Sequence, residues 1–484
     1  MRISSPGEIG YAARQVHIAR VLELSTRERD TFDSIVEREK GLQRGLGAGQ
    51  MTMIAIGGAI GTGLFLGSAF AIGFAGPAVL VSYAIGALIA LLLMGALAEM
   101  TVAHPTSGSF GAYAGHYIGP LAGFVVRYAY WSAYVLAVGT EVSAIAVYMK
   151  YWFPAVPGAW WIVAFSALLI GVNAMSVRAY GAIEYAFSSL KIAAIAAFIV
   201  LGSWFVWRAP TGSGVGLANY TSHGGWLPKG WWGVWVGTVV SLFSYLGVET
   251  IAVAAAEARD PQRAVTRAFR ATLVRLVLFY LVTLALMLAI VPWTQAGADQ
   301  SPFVKVMAAT GVPYAAGAIN FVILVAALSA MNSQLYITTR MMFSLSRAGY
   351  APGRFGRLNG HGVPTAALWL STIGIAVAAV VNALYPRTAF PLMMSIAMFG
   401  AMFTWLMIFV THLFFRRRYA GPAPAFRMRL HPVGSVAGAV LMAAVLIATA
   451  FTREFRMTLV YGFAFLVVLI AAYALWYRRG APQQ

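Results

Sequence analysis

Residues 53–65 read Met53-Ile54-Ala55-Ile56-Gly57-Gly58-Ala59-Ile60-Gly61-Thr62-Gly63-Leu64-Phe65. They lie inside an apolar run near 50–72, long enough to cross a bilayer core. Yet four of the seven residues 57–63 are glycine, and each weakens a helix by roughly 1 kcal/mol against alanine. Close packing through small residues is one reason for glycine in a membrane helix. It accounts for a small-xxx-small pair better than for GG beside GTG. The other reason is local unwinding in mid-membrane, tolerated only where the bared backbone lines a cavity. A half-helix beginning near Thr62-Gly63 then presents N–H groups and a positive dipole end, which suit a carboxylate. The carbonyls ending the preceding half, near Ile56 to Ala59, suit an ammonium group. An α-amino acid carries both charges and matches the pair.

The rest of the chain fits a membrane setting. Of 484 residues, 60% are hydrophobic and 10% charged, against about 25% charged in an ordinary soluble domain. Apolar runs follow one another near 50–72, 77–98, 120–149, 160–177, 185–206, 233–256, 271–291, 314–339, 366–384, 390–415, 433–451 and 457–477. These predict an all-α polytopic membrane protein with twelve transmembrane helices. The expected layout is a cytoplasmic tail 1–48, a transport core 49–418, two further helices in 419–477 and a short tail 478–484. The tail 1–48 lacks the apolar core of a secretory signal and is assigned no function.

The formal charge of +19 would suggest nucleic acid on a soluble protein, but no nucleic-acid motif is present. The basic residues sit between spans instead. Arg259, Arg263, Arg267 and Arg270 follow span six. Arg340, Arg347, Arg354 and Arg357 follow span eight, Arg416-Arg417-Arg418, Arg427 and Arg429 follow span ten, and Arg478-Arg479 follow the last. With an even span count this bias puts both termini in the cytoplasm and the protein in the cell inner membrane, with anionic lipid headgroups facing the clusters. The stretch 208–232, with Trp226 and Trp231-Trp232, becomes an external loop. Cysteine is absent, so thiol catalysis and cysteine metal sites are excluded. His104, His116 and His412 show no ligand spacing, no metal or other cofactor is expected, and no nucleophile–base arrangement suggests an enzyme.

A second interruption stands at Phe243-Ser244-Tyr245-Leu246-Gly247-Val248-Glu249-Thr250, five spans after the first. That offset is the mark of an inverted repeat, with its binding site between the broken helices. Three ionisable residues lie deep in spans, where each costs roughly 2.5–3.5 kcal/mol to insert: Glu141, Lys191 and Glu249. A structural ion pair or a snorkelling side chain is the plain reading of each. Lys191, two turns into span five, is also a candidate proton carrier, since a desolvated lysine can trade its proton near neutral pH. Glu249 and Glu141 are candidates for gating or for sharing that proton. Glu99, Arg127 and Glu184 lie near span ends and are expected to snorkel.

With these residues in view, the chain resembles the amino acid permeases of the amino acid–polyamine–organocation superfamily. The likeness rests on residues 53–65, on Pro105-Thr106-Ser107-Gly108-Ser109-Phe110, on Ala255-Ala256-Glu257-Ala258-Arg259-Asp260-Pro261, and on Asn332-Ser333 with Arg340. The resemblance implies a leucine-transporter-like fold of five-plus-five inverted repeats, with helices one and six discontinuous and two helices added. It implies a substrate carboxylate on the amides of Thr62 and Gly63 beside Gly61, and an amine on the carbonyls of Ala59, Phe243 and Leu246. Ser244 neighbours that site, and Phe243 closes over the substrate. It implies Lys191 as the proton-linked group. The expected activity is secondary active import of amino acids, by proton symport and alternating access. An exchanger is the alternative, and a transport-derived sensor a more distant one. The resemblance singles out no one amino acid.

Overall fold

In the computed structural model, residues 32–42, 45–210, 213–295 and 300–478 are described, with the side chains at 55–56, 268, 270–276 and 477–478 excepted. Residues 1–31 of the expected N-terminal tail, Arg479, and the side chains of Arg270 and Arg478 lie outside this description.

The described residues form helices and no named strand. In chain order these are α1 Ala48–Ala59, α2 Ser68–Ala75, α3 Val79–Ala103, α4 Ser109–Tyr117, α5 Pro120–Met149, α6 Gly158–Met175, α7 Val177–Arg208, α8 Gly230–Tyr245 and α9 Thr250–Ala254. They continue as α10 Pro261–Ile290, α11 Pro302–Ala309, α12 Ala315–Arg347, α13 Thr365–Ser371, α14 Ile373–Leu384, α15 Ala389–Arg418, α16 Val433–Ala448 and α17 Arg456–Arg478. Local chemistry sets many ends. Prolines open α5, α10 and α11, where a missing N–H costs nothing. Asp260 caps α10 by accepting from Arg263 N, and Ser176 caps α7 by accepting from Ala179 N.

Among the described residues, ten stretches are long and apolar enough to cross a membrane. One of them, Ala48–Ala103, is 56 residues long and turns back at Gly76, whose φ of +61° only glycine adopts readily. α10 adds a shorter apolar part, Val277–Ile290.

Helices pack against their counterparts five spans on: α2 against α8 and α1 against α9, α3 against α10, α5 against α12, α6 against α13 and α14. An inverted repeat places its equivalent helices together in this way. The centre, α5, α8, α12 and α15, is mostly buried. The outer helices α6, α14 and α17 expose large apolar side chains such as Trp160, Val380 and Phe463, a surface that lipid solvates and water does not.

Three expectations about charge need correcting. Glu99, Arg127 and Glu184 do not snorkel; they are 1%, 4% and 0% exposed. Glu99 pairs with Arg416 Nε at 2.7 Å, lies 3.1 Å from His412 Nε2 and accepts from Met428 N. Arg127 donates to Ser344 Oγ and Gly111 O. Glu184 accepts from Ser188, Ser329 and Asn332. Partners from distant spans replace water around each charge, and position along one span does not reveal them.

Candidate functional site

Both interruptions are breaks in the helix. α1 stops at Ala59, Ile60 and Gly61 belong to no helix, and the chain re-enters through a π-helical turn at Gly63–Gly67. In the partner span α8 stops at Tyr245, Leu246 leaves the helical region with ψ 139°, and Gly247 takes φ +105° before α9.

The two breaks are pressed together, backbone to backbone. A Cβ on Gly63 would stand 2.7 Å from Ser244 Cα and 2.9 Å from Phe243 O; one on Gly247 would collide with Gly58 O. Gly63 is therefore also a packing glycine, so the two explanations of the glycine run are not exclusive. The buried Tyr280 hydroxyl, from α10, is shared between Ala59 O at 2.7 Å and Ser244 O at 2.8 Å. It ties the ends of the two half-helices.

Between the breaks lies a cavity of about 10 Å³, room for roughly one water. Its walls are Gly58, Ala59, Gly61, Gly63, Tyr134, Ala137, Glu141, Phe243, Leu246 and Gln334. Five of the expected binding residues thus line one space: Ala59, Gly61, Gly63, Phe243 and Leu246. Thr62 turns its N–H to Glu141 Oε2 at 3.4 Å. Ser244 does not face the cavity; its hydroxyl meets Tyr83 Oη at 2.9 Å on the α3 side. The Phe243 ring meets Phe390 of α15 edge-on, with centroids 6.4 Å apart.

Glu141 stands where the half-helix begins. It accepts from Thr62 N and from Gln334 Nε2, both at 3.4 Å, long enough for either bond to be weak. Gln334 Oε1, on the cavity wall, is buried with no partner. An unsatisfied polar atom at a cavity wall marks a place for a polar ligand.

Lys191 lies on the far side of the first break, 0% exposed. Its Nζ donates to Gly57 O at 2.6 Å, Ile60 O at 3.0 Å and Ser329 Oγ at 2.8 Å. Part of the ammonium site read near Ile56 to Ala59 is therefore filled by the protein's own ammonium, and Ala59 O already accepts from the Tyr280 hydroxyl. Glu249 accepts from Tyr130 Oη at 3.1 Å, from Tyr134 Oη, and from Gly247 N at 3.2 Å, and so braces the second break. Among the described residues no group of three or more His, Asp or Glu is placed to hold a metal.

Sequence reasoning missed Tyr280, Tyr134 and Gln334. Tyrosines in apolar spans read as core, and only a partner across the bundle shows otherwise. Gln334 had a signal, since Asn332-Ser333-Gln334 puts three polar residues in a row inside a span.

Comparison with known proteins shows the family to which the chain belongs. The chain is 37% identical over 444 residues to YtnA of Bacillus subtilis (strain 168), an uncharacterized amino acid permease, covering 90% of this chain and 96% of that one. It is also 37% identical, over 415 residues, to the aromatic amino acid transport protein AroP of Escherichia coli (strain K12), covering 85% of this chain and 90% of AroP. Among solved structures it shares its fold with the manganese transporter of Eremococcus coleocola crystallised with an aromatic bis-isothiourea substituted compound. That match has a TM-score of 0.53 at 14% identity and covers 88% of this chain and 92% of the other. Residues 50–484 match the family description Amino acid permease, and the protein is a member of that family of multi-pass membrane transporters.

Proposed function

We propose that this permease imports amino acids across the cytoplasmic membrane by alternating access, with its arginine-rich loops inside, and that proton transfer at Lys191 drives the cycle. The observation that carries this reading is the grip of Lys191 Nζ on Gly57 O and Ile60 O. A cation there completes the unsatisfied carbonyl end of α1 and opposes its negative dipole. Without its proton the amine binds those carbonyls more weakly, and the half-helix is freer to swing.

The substrate carboxylate would take the amides of Thr62 and Gly63, displacing the weak Thr62–Glu141 contact. Its amine would take Ala59 O, with Phe243 O and Leu246 O beside it. The cavity is too small for an amino acid, so Phe243 and Glu141 must move as substrate enters. Side-chain room lies toward Phe243, Tyr134 and Ala137. With a relative named for aromatic amino acids, that apolar wall makes phenylalanine, tyrosine and tryptophan the first candidates.

The test is uptake into proteoliposomes with and without an imposed pH gradient, after a binding screen over the protein amino acids and 4-aminobutyrate. Gradient-dependent accumulation is the expected result. Accumulation that ignores the gradient and requires internal amino acid would replace symport by exchange. Binding without any flux would leave a sensor.

A further inference from the structure

A buried carboxylate close to Lys191 is unused by this mechanism. Glu184 lies on α7 two turns before Lys191 and is 0% exposed. Ser329 of α12 joins the two residues: its hydroxyl accepts from Lys191 Nζ at 2.8 Å and donates to Glu184 Oε1. Ser188 Oγ also donates to Oε1 at 3.3 Å, and Asn332 Nδ2 to Oε2 at 3.1 Å. Asn332 is held in turn by Asn173 Nδ2 at 2.8 Å. Ser329 and Asn332 both donate to the carboxylate, and Ser329 also accepts from Lys191.

We infer that Glu184 is the release group for the proton that Lys191 carries, with the Ser329 hydroxyl as the single relay between them. The step balances. One Nζ–H proton passes to Ser329 Oγ as the Ser329 hydroxyl proton passes to Glu184 Oε1. The ammonium–carboxylate pair becomes a neutral amine and a carboxylic acid, and the hydroxyl is regenerated. Two charges in a dry interior cancel, which offsets the cost of taking a proton from lysine. The inference rests on the proton-carrier reading of Lys191.

Release is tied to helix movement by packing. A Cβ at Gly57 would collide with both Ser188 Oγ and Glu184 Oε1, so α1 lies directly over the carboxylate. Water reaches Glu184 when α1 swings away, so the proton taken up by Glu184 leaves to solvent in the moved state. The other ionisable groups within electrostatic reach are Glu141 on the Lys191 side, and Tyr180, with Arg340 and Glu257 beyond it, on the Glu184 side.

The experiment uses the full chain in proteoliposomes carrying an entrapped pH dye. It compares wild type, Glu184→Gln, Glu184→Asp, Ser329→Ala and Lys191→Ala, with tritiated phenylalanine as first probe or another labelled amino acid that wild type takes up. Two quantities are read: gradient-driven accumulation with lumenal acidification, and counterflow of labelled against unlabelled substrate, which needs no net proton transfer. Glu184→Gln and Ser329→Ala are expected to lose accumulation and acidification by at least about tenfold while keeping counterflow. Glu184→Asp is expected to recover part of both proton-linked signals. Normal accumulation in Glu184→Gln while Lys191→Ala fails would remove Glu184 from the path and leave the lysine in place. Normal accumulation in Lys191→Ala would overturn the carrier itself. Loss of counterflow in Glu184→Gln, unrelieved by aspartate, would make Glu184 a structural residue.

Discussion

Glu257 and Arg340 are 1% and 2% exposed, and their side chains meet at 2.8 Å. The pair carries further contacts: Tyr336 Oη donates to Glu257 at 2.8 Å, the guanidinium lies 3.9 Å from the Tyr336 ring centre, and Tyr180 stacks on Tyr336 at 4.3 Å. Removing one partner strands a buried charge, so Arg340→Ala is expected to cost about 3–5 kcal/mol. Arg340→Lys should recover only part, because an ammonium has neither the fork nor the flat face. Thermal unfolding in detergent checks both, and a lysine variant as stable as wild type would count against the stacking role. A different residue sets a pH limit. His104, beyond the end of α3, stacks on Phe32 at 3.9 Å and meets Tyr117 Oη at 2.6 Å. Burial, with His116 beside it, holds its pKa down to about 3. The unfolded chain therefore binds a proton, from about pH 6.5 downward, that the folded protein refuses. This contribution is complete above that pH and shrinks by up to about 2 kcal/mol by pH 5. His116 and His431 shift the same way. Unfolding temperature should fall from pH 7 to pH 5, and less steeply in His104→Gln; parallel slopes would remove His104 as the cause.

The paired breaks are the elements on which the proposed transport turns, and two glycines in the first differ in what surrounds them. Gly63 faces the backbone of α8, with Ser244 Cα 2.7 Å from a built Cβ, whereas at Gly67 the nearest atom is 3.7 Å away. Gly63→Ala must push the half-helices apart, an overpacking cost of about 1–3 kcal/mol, and should abolish substrate binding. Gly67→Ala should be tolerated. Substrate-dependent thermal shifts distinguish them, and equal behaviour would refute the close-approach argument. Tyr280→Phe leaves the carbonyls of Ala59 and Ser244 without their shared donor, at an expected 1–3 kcal/mol of stability, read by the same unfolding measurement. These elements also show what was legible in the sequence. The breaks and their five-span offset were readable because glycine acts on the backbone where it stands. Lys191 and Glu249 were readable because charge in an apolar run is conspicuous. Tyr280 was not, since the carbonyls it ties lie 221 and 36 residues away. Nor was the turn of Ser244 away from the cavity, which depends on Tyr83 across the bundle.

At the scale of the molecule, the proposed alternating access requires one end of the bundle to close while the other opens, and a short N-terminal stretch packs across the arginine-rich end. Read from the sequence, this tail is assigned no function. Yet Glu39 is only 7% exposed. It accepts from Thr106 Oγ1, Ser107 Oγ at 2.8 Å, Gly108 N at 2.8 Å and Ser344 Oγ at 2.5 Å, with Arg127 at 3.9 Å. One carboxylate thus joins the tail, the loop before α4, α5 and α12. A bond to a charged group contributes about 1.5–3 kcal/mol, so losing even one should raise the open population about tenfold. The chain lacks cysteine, so a single introduced thiol reports without background. Thr250 is suited to carry it: it is 1% exposed, its hydroxyl has no partner, and it lies against Gly58 beneath the substrate cavity. A membrane-impermeant maleimide added from the arginine-rich side should label Thr250→Cys slowly. Adding Ser344→Ala, which removes one of these bonds, should speed labelling about tenfold, and Glu39→Ala, which removes them all, by more. Equal rates in all three backgrounds would mean that the Glu39 contacts merely anchor the tail and that the closure lies wholly in α1 and the Glu257–Arg340 pair.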